Sequence, residues 1–352
     1  MPTDPPPPID ATAMVDFTTQ LLQATGMPPD RSRRTGEILV LADLWGAASH
    51  GLLRLPHYLR RLQAGGYNPT AELQPVTDTG PLLVLDGQGG MGHWQAWQAA
   101  EFAVDLAKDY GVGVVAVANS GHCGVLGTYG LPGLDHNVAV LAFSNGPAVM
   151  PAWGGDQPLL STSPLAAQVG AGEQTTIVDL ATTTVARGKI AALAAAEEQI
   201  PEGWALDADG QPTTDPAQAL RGMLAPLGGA KGYALALVVE TLTGGLVGPR
   251  LATDVADMFA PEQDAEPQGV SHLLLALDAQ RLDGCGQPEQ QAARLAQLFG
   301  AVRDSGGRVP GAGRLATTTV HAGDRIGVPP GLRTDLQQAA EHLGVPLPGA
   351  LR

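Results

Sequence analysis

The sequence predicts an α/β protein, a sheet with helices on its faces, preceded by a helical N-terminal piece. Three observations carry this. From Pro69 onward, short runs rich in Val, Leu and Ile, bounded by Gly, Asn or Asp, alternate with longer segments of helical texture. Residues 10–66 show apolar stripes at helical spacing instead. And 44% of the 352 residues are hydrophobic, enough for one large core or two ordinary ones.

Met14, Phe17 and Leu21 form the first stripe, and Ile38, Ala42 and Trp45 the second. A third helix is expected to start near Leu55-Pro56, because proline suits a first helical turn. Its stripe is Leu55, Tyr58, Leu59 and Leu62, and Gly65-Gly66 ends it. The near-continuous apolar runs PLLVLDG, VGVVAVA, VAVLAF and TTIVDL read as buried strands, with HLLLALD (272–278) as a later one. Helices are expected over Trp94–Tyr110, roughly Thr183–Glu198, Lys231–Val247, Glu289–Asp304 and around Arg333–Leu343. Acids and prolines mark residues 260–269 as the most mobile surface loop. The C-terminal residues are expected to pack back on the first piece. The expected division is therefore 1–75 helical, 76–300 α/β, and 301–352 returning to the N-terminal part.

A net charge of −15, spread along the chain, repels nucleic acid and anionic lipid, so neither is expected as a partner. Cys123 and Cys285 form no C-x-x-C and no disulfide framework, which fits a reducing compartment. MPTDPPPPID has no basic n-region and no apolar h-region; its prolines suggest a frayed, extended lead. No apolar stretch is long and unbroken enough to span a membrane. A cytoplasmic protein is expected.

Four places hold residues suited to chemistry. In SHGLLRLPHY, His50, Arg54 and Tyr58 stand four apart. A continuous helix would put them on one face; a helix starting at Pro56 would leave His50 and Arg54 in the loop before it. There, an arginine beside free helix N–H groups favours a carboxylate or phosphate, and a histidine can transfer protons near neutral pH. Spacing alone favours the plainer alternative, surface arginines beside a structural histidine. In AVANSGHCG, His122 follows a buried strand at its C-terminal end, the edge where α/β sheets place ligands; it is equally an acid–base group or a core histidine. No further ligands stand at metal spacing from His122-Cys123, so no metal is expected. In PLGGAKGYALAL, Gly228, Gly229, Lys231 and Gly232 lead into an apolar helix and form either an anion-binding nest or a simple turn; the P-loop spacing is absent. Asp179 ends TTIVDL and can take a ribose hydroxyl or cap the next helix.

DGQGGMGHW carries G-x-G-x-x-G at Gly87, Gly89 and Gly92, between a strand and a helix. The dinucleotide fingerprint also needs an acid at the end of the second strand, and that strand ends in Asn119-Ser120. A glycine-rich packing turn is the preferred reading.

SHGLLRLPHY, NSGHCG, FSNGPAVMPAWGG, DLATTTVARGKI, IPEGWALDADGQPTTDP and PLGGAKGYALAL occur in one order along residues 10–350. Together they resemble the malate/L-lactate dehydrogenase family of NAD(P)-dependent oxidoreductases, which includes ureidoglycolate, sulfolactate and diketogulonate enzymes and cyclic ketimine reductases. The resemblance implies a non-Rossmann mixed sheet flanked by helices, with a second, mainly helical domain from the N- and C-terminal segments. It also implies NAD or NADP as cofactor, a small carboxylate as substrate, and a homodimer with active sites near the subunit interface. Matched residue by residue, His50 or His122 is the acid–base group. Arg54 is a substrate-carboxylate arginine, and Tyr58 occupies a pocket position. Ser144, the run Asp179, Leu180, Ala181 and Thr182, then Lys231, Gly311, Ala312 and Gly313, match cofactor-contacting positions. The family usually reads G-T-N-P where this chain has Ser161-Thr162-Ser163-Pro164, so local backbone and polar contacts are expected to differ there. The expected activity is interconversion of a 2-hydroxy acid and its 2-oxo acid. The alternatives are a cyclic ketimine reductase and a cofactor-binding protein without turnover.

Overall fold

The computed structural model describes residues 8–284 and 286–351; the proline-rich lead up to residue 7 and Cys285 lie outside them. The N-terminal piece is three helices, α1 (Ala11–Ala24), α2 (Pro29–Leu44) and α3 (Leu55–Ala64). Asp10 caps α1, its carboxylate accepting from Ala13 N–H at 3.1 Å, which satisfies one of the free donors of the first turn. Proline occupies the first turn of α2 and α3, and Gly65, with φ of 87°, ends α3 in the left-handed conformation a glycine adopts at low cost.

The central sheet has seven strands: β1 (Gln74–Asp78), β2 (Leu82–Asp86), β3 (Val112–Ser120), β4 (Val138–Ser144), β5 (Leu165–Ala171), β6 (Gln174–Leu180) and β7 (Val270–Asp278). Their order is β1-β2-β3-β7-β4-β5-β6, and β2–β3 is parallel while every other pair is antiparallel. This is a mixed sheet and not the parallel doubly wound one. Helix α4 (Gly92–Tyr110) packs on β3 and β7 through Ala96, Ala99, Ala100, Ala103 and Ala107. Small side chains on that stripe bring helix and sheet close together. At Gly113, a Cβ would lie 2.1 Å from the Ala103 carbonyl oxygen.

Arg325–Ile326 pairs with Ile9–Asp10, and α8 (Pro330–Leu343) packs on α1 and α3. Met14, Phe17, Leu21, Leu55, Leu59, Leu332 and Leu336 share one buried cluster. The short helix Ala312–Leu315 lies instead against β6. Helix α7 (Pro288–Asp304) precedes it, close to the expected span.

Four expectations need correction. Two strands were not anticipated: β1 is exposed along its whole length and has no apolar alternation, and β5, LAAQVGA, is mostly alanine, glycine and glutamine, with Leu165 and Val169 as its larger apolar residues. The helix expected over 183–198 is only α5 (Arg187–Ala195). Thr182, Thr183 and Thr184 spend their backbone groups on the neighbouring segments 162 and 225–227, which delays its start. Helix α6 (Ala230–Glu240) gives way at Thr241–Gly245 to a wider turn in which Leu246 N–H reaches the Thr241 carbonyl. Finally, residues 260–269 are pinned. Arg60 bonds Asp264 at 3.1 Å, and the fully buried Arg61 donates to the carbonyls of Gln263 (2.9 Å) and Glu266.

Candidate active site

Two short turns, Ala48–His50 and Leu52–Arg54, join α2 to α3, so His50 and Arg54 precede the helix and do not lie along it. Asp43, near the end of α2, holds this connection: its carboxylate accepts from Leu52 N–H at 2.8 Å, and burial pushes it up to about 6. Gly51 is required there, since a Cβ would fall 2.5 Å from that carboxylate. The Arg54 Nε donates to the Ser49 carbonyl at 2.6 Å, and its guanidinium lies 4.2 Å from the ring centre of Phe259. Among the described residues the two terminal nitrogens of Arg54 make no hydrogen bond, which leaves them for a ligand.

His122 comes from the other side, beyond the C-terminal end of β3. Its ring is stacked on that of His50 at 5.9 Å. The Gly124 N–H, which can only donate, lies 3.2 Å from His122 Nδ1, and the Tyr58 hydroxyl lies 2.7 Å from the same nitrogen. Nδ1 is therefore assigned as the bare acceptor and Nε2 as the protonated nitrogen. Burial, then His50, holds His122 well below the usual histidine range; burial, then Arg54, lowers His50 to about 4. Both rings are neutral at pH 7. His50 Nδ1 sits 2.9 Å from Ser49 Oγ, which can serve either tautomer.

These residues line one cavity of about 300 Å³ together with Ser144, Asp179, Leu180 and Ala181. Ser144 Oγ is 2.9 Å from Nδ1 of the buried His272, whose Nε2 lies 3.1 Å from the Gly121 carbonyl, so the serine donates to a bare nitrogen. Asp179 accepts from Gly127 N–H at 3.1 Å and pairs with Arg314 at 3.6 Å. Gly311 and Gly313 line an adjoining depression that shares Asp179, Leu180 and Arg314 with the cavity, and Ala312 stands between them. Three expected residues fall elsewhere. Tyr58 is fully buried behind His122 and does not face the cavity. Thr182 is buried, its hydroxyl bonded to the Thr162 carbonyl at 2.9 Å. Lys231 is exposed at the start of α6, off the cavity wall.

At Ser161–Pro164 the chain makes a turn held by its own serines. Ser163 has φ of 39°, a conformation that asparagine tolerates better than serine, and its N–H donates to Ser161 Oγ at 2.8 Å. The Gly87–Gly92 turn is a packing device: Gly87 and Gly89 N–H donate to the Ala118 and Asn119 carbonyls, and a Cβ on Gly92 would lie 2.0 Å from the Gly121 oxygen. No pyrophosphate could approach between those backbones. Among the described residues no three His, Cys, Asp or Glu side chains converge on a metal position. Sequence reasoning missed Arg187, Asp257 and Phe259, which also line the cavity. Arg187 lies within TTTVARGKI, but its direction depends on where that helix begins; Asp257 and Phe259 belong to no motif.

A family profile of malate/L-lactate dehydrogenases matches residues 9–337. The chain is 38% identical over 298 residues to the (2R)-3-sulfolactate dehydrogenase (NADP(+)) of Chromohalobacter salexigens, covering 84% of this chain and 87% of that one. Its structure is similar to that of the sulfolactate dehydrogenase of Methanocaldococcus jannaschii, with a TM-score of 0.86 at 30% identity, covering 96% of this chain and 98% of that one. It is likewise similar to the delta1-piperideine-2-carboxylate reductase of Pseudomonas syringae pvar. tomato, with a TM-score of 0.84 at 27% identity over 95% and 100% of the two chains.

Proposed function

The chain belongs to the malate/L-lactate dehydrogenase family, and on that premise we propose that this NAD(P)-dependent oxidoreductase interconverts a small 2-hydroxy acid and its 2-oxo acid. One observation carries the reading: a guanidinium whose terminal nitrogens are unbonded among the described residues and two neutral imidazoles from separate parts of the chain line a single cavity. The cavity also suits the cofactor. Side chains at Gly146 and Gly188, both on its wall, would meet only Ser161 at 3.8 Å and Ser49 at 3.6 Å, so these glycines keep open the space a flat ring needs. Ser144, Leu180 and Ala181 would hold the nicotinamide end, and Gly311 to Gly313 the far end.

When bound, the nicotinamide accepts or supplies the hydride. Arg54 takes the substrate carboxylate in a fork made by its two terminal nitrogens. His122 donates its Nε2–H to the substrate oxygen, while Tyr58 and Gly124 hold its other nitrogen. His50, whose Nδ1 can donate to Ser49 Oγ, presents a bare Nε2 and removes the hydroxyl proton; in the reverse direction it returns that proton. With 2-oxo acids and cyclic imine carboxylates offered in parallel, loss of reduced cofactor should be at least about tenfold more efficient in kcat/KM for the oxo acids. Turnover of imines alone would favour the ketimine reductase reading, which the likeness to the piperideine enzyme supports. Cofactor binding without any turnover would refute both.

The active form is proposed to be a homodimer. Helix α6 presents Leu235, Leu237 and Val238 on the surface, with Val238 at 52% and Leu246 just beyond it at 75% exposure. A helix of that composition needs cover, which a second copy supplies. Lys231 stands on the same helix, so the cofactor contact expected of it belongs to the assembled pair. Sedimentation equilibrium should give two chains per particle, and Val238→Glu should give one; a wild-type monomer would remove this assignment.

A further inference from the structure

Resting on the dehydrogenase reading, we infer that His272 is a positioning residue. It draws the Ser144 proton away from the cavity, so that the serine meets the cofactor as an acceptor and takes the N–H2 of the nicotinamide carboxamide. Strand register puts the two side chains together. His272 lies near the start of β7 and pairs with Ser144 at the end of β4, while its neighbour on the other side is Val117 of β3. Successive strand residues alternate faces, so cross-strand partners project to the same side. The imidazole is buried, and Ser144 lines the cavity.

The direction of each hydrogen bond follows from its neighbour. The Gly121 carbonyl can only accept, so the His272 Nε2 that lies 3.1 Å from it carries the proton. Burial lowers His272 to about 4, so the ring is neutral at pH 7 and Nδ1 is bare. Ser144 Oγ, 2.9 Å away, therefore donates. The Asn145 carbonyl, 3.2 Å from the same hydroxyl, is a second acceptor, but choosing it would strand a buried ring nitrogen. Beyond the ring the direction continues. His272 Nε2 also lies 3.2 Å from Ser120 Oγ, which donates to Gln95 Oε1 at 2.6 Å, and Gln95 Nε2 donates to the Gly87 carbonyl at 2.6 Å. Every proton of this buried chain points away from the cavity, and bonds aligned in one direction reinforce one another. What Ser144 offers a ligand is its lone pairs. Its neighbours on the wall do not compete strongly for them. Asn145 spends both ends of its amide, accepting from Ser271 N–H at 2.9 Å and donating to the Arg250 carbonyl at 3.0 Å. The Cys123 thiol also meets Ser144; burial pushes it up to about 12, so it stays a neutral, weak donor. An amide N–H is the stronger donor, and on the nicotinamide ring the carboxamide supplies it. Held there, the amide fixes the rotation of the ring and the face it turns to His122.

The test is binding to substrate-free protein, followed by calorimetry. The probes are NAD or NADP, whichever binds more tightly, and its 3-acetylpyridine analogue, which keeps the carbonyl but carries a methyl group in place of N–H2. Wild type should bind the natural dinucleotide about tenfold more tightly, the worth of one hydrogen bond in a buried site. Ser144→Ala should bring that ratio to within about twofold of unity. His272→Phe should do the same, because the serine is then free to turn its proton to the cavity. His272→Asn, whose side-chain oxygen can stand at the Nδ1 position, should restore most of the ratio. A merely structural histidine would weaken both dinucleotides together, so a wild-type ratio in His272→Phe overturns the inference. A ratio within about twofold of unity in the wild type overturns it equally and leaves the dehydrogenase reading intact. Should His272→Phe not fold, nitrogen NMR of the wild-type protein decides: His272 should carry its proton on Nε2 at neutral pH, and a proton on Nδ1 overturns the inference. Wild-type protein that binds neither dinucleotide removes the dehydrogenase reading and this inference with it.

Discussion

His50→Asn should reduce turnover of the 2-hydroxy acid by about 100-fold or more while leaving the fold intact, as expected for loss of a general base. The residue sits in a partly exposed turn and, among the described residues, its ring hydrogen-bonds to Ser49 alone, so replacement creates no buried cavity. His122→Asn should cost less, because Nε2–H donation can be partly replaced by an amide. The pH profile separates the two further. A base must be unprotonated, and His50 is lowered to about 4 by burial and by Arg54. Oxidation measured as kcat/KM should therefore stay level from neutral pH down to about 5 and fall only below about 4. In the bound complex, a carboxylate on Arg54 cancels part of that repulsion, so the kcat profile should turn at a higher pH than kcat/KM. Wild-type rates in His50→Asn would refute its role, and a loss confined to His122→Asn would transfer that role to the other ring.

Gly92→Ala should be among the most damaging single-methyl changes in the chain. Its Cβ would lie 2.0 Å from the Gly121 oxygen and 2.9 Å from the His122 oxygen, both backbone atoms that cannot swing away. Forced overpacking of this kind costs about 3 kcal/mol or more. Any relief must push the strand end carrying His122 away from α4, and about 1 Å of misplacement there costs on the order of 100-fold in rate. Gly89→Ala is the control: its Cβ meets nothing within 4 Å, and the cost is that of its positive φ, about 1–2 kcal/mol. Thermal unfolding and turnover measured on both variants decide the matter. Equal midpoints for Gly92→Ala and wild type would show that the contact is not as tight as described. Selective loss of cofactor affinity in Gly89→Ala would reopen the dinucleotide reading of this turn.

Much of the fold was legible because its elements announce themselves locally. Leu55-Pro56 and Gly65-Gly66 bracket α3, and the valine-rich runs of β3 and β4 can hardly be anything but buried strands. What escaped was set by tertiary pairing. β5 is a strand because β4 and β6 flank it, and the threonines before α5 are extended because segments 162 and 225–227 take their hydrogen bonds. The site followed the same division. His50, Arg54 and His122 stand in strings with their own punctuation, so their chemistry could be read from the residues around them. Asp257 and Phe259 acquire meaning only from the two arginines they meet, which lie about 70 and 200 residues earlier in the chain. Tyr58 shows the converse: spacing grouped it with His50 and Arg54, and the fold sets it behind His122 instead.

Gln268 has a last consequence. Its side-chain oxygen accepts from the His122 backbone N–H at 3.0 Å and from the Tyr67 hydroxyl, while its nitrogen donates to the Ala256 carbonyl at 3.2 Å. A single primary amide is thus riveted at one end to the proton-handling imidazole's own peptide and at the other to the residue just before the Asp257–Phe259 stretch. The two halves of the pocket cannot drift independently. Any swing of the segment that greets an incoming acid is transmitted, through one planar group, to the ring that must meet its oxygen.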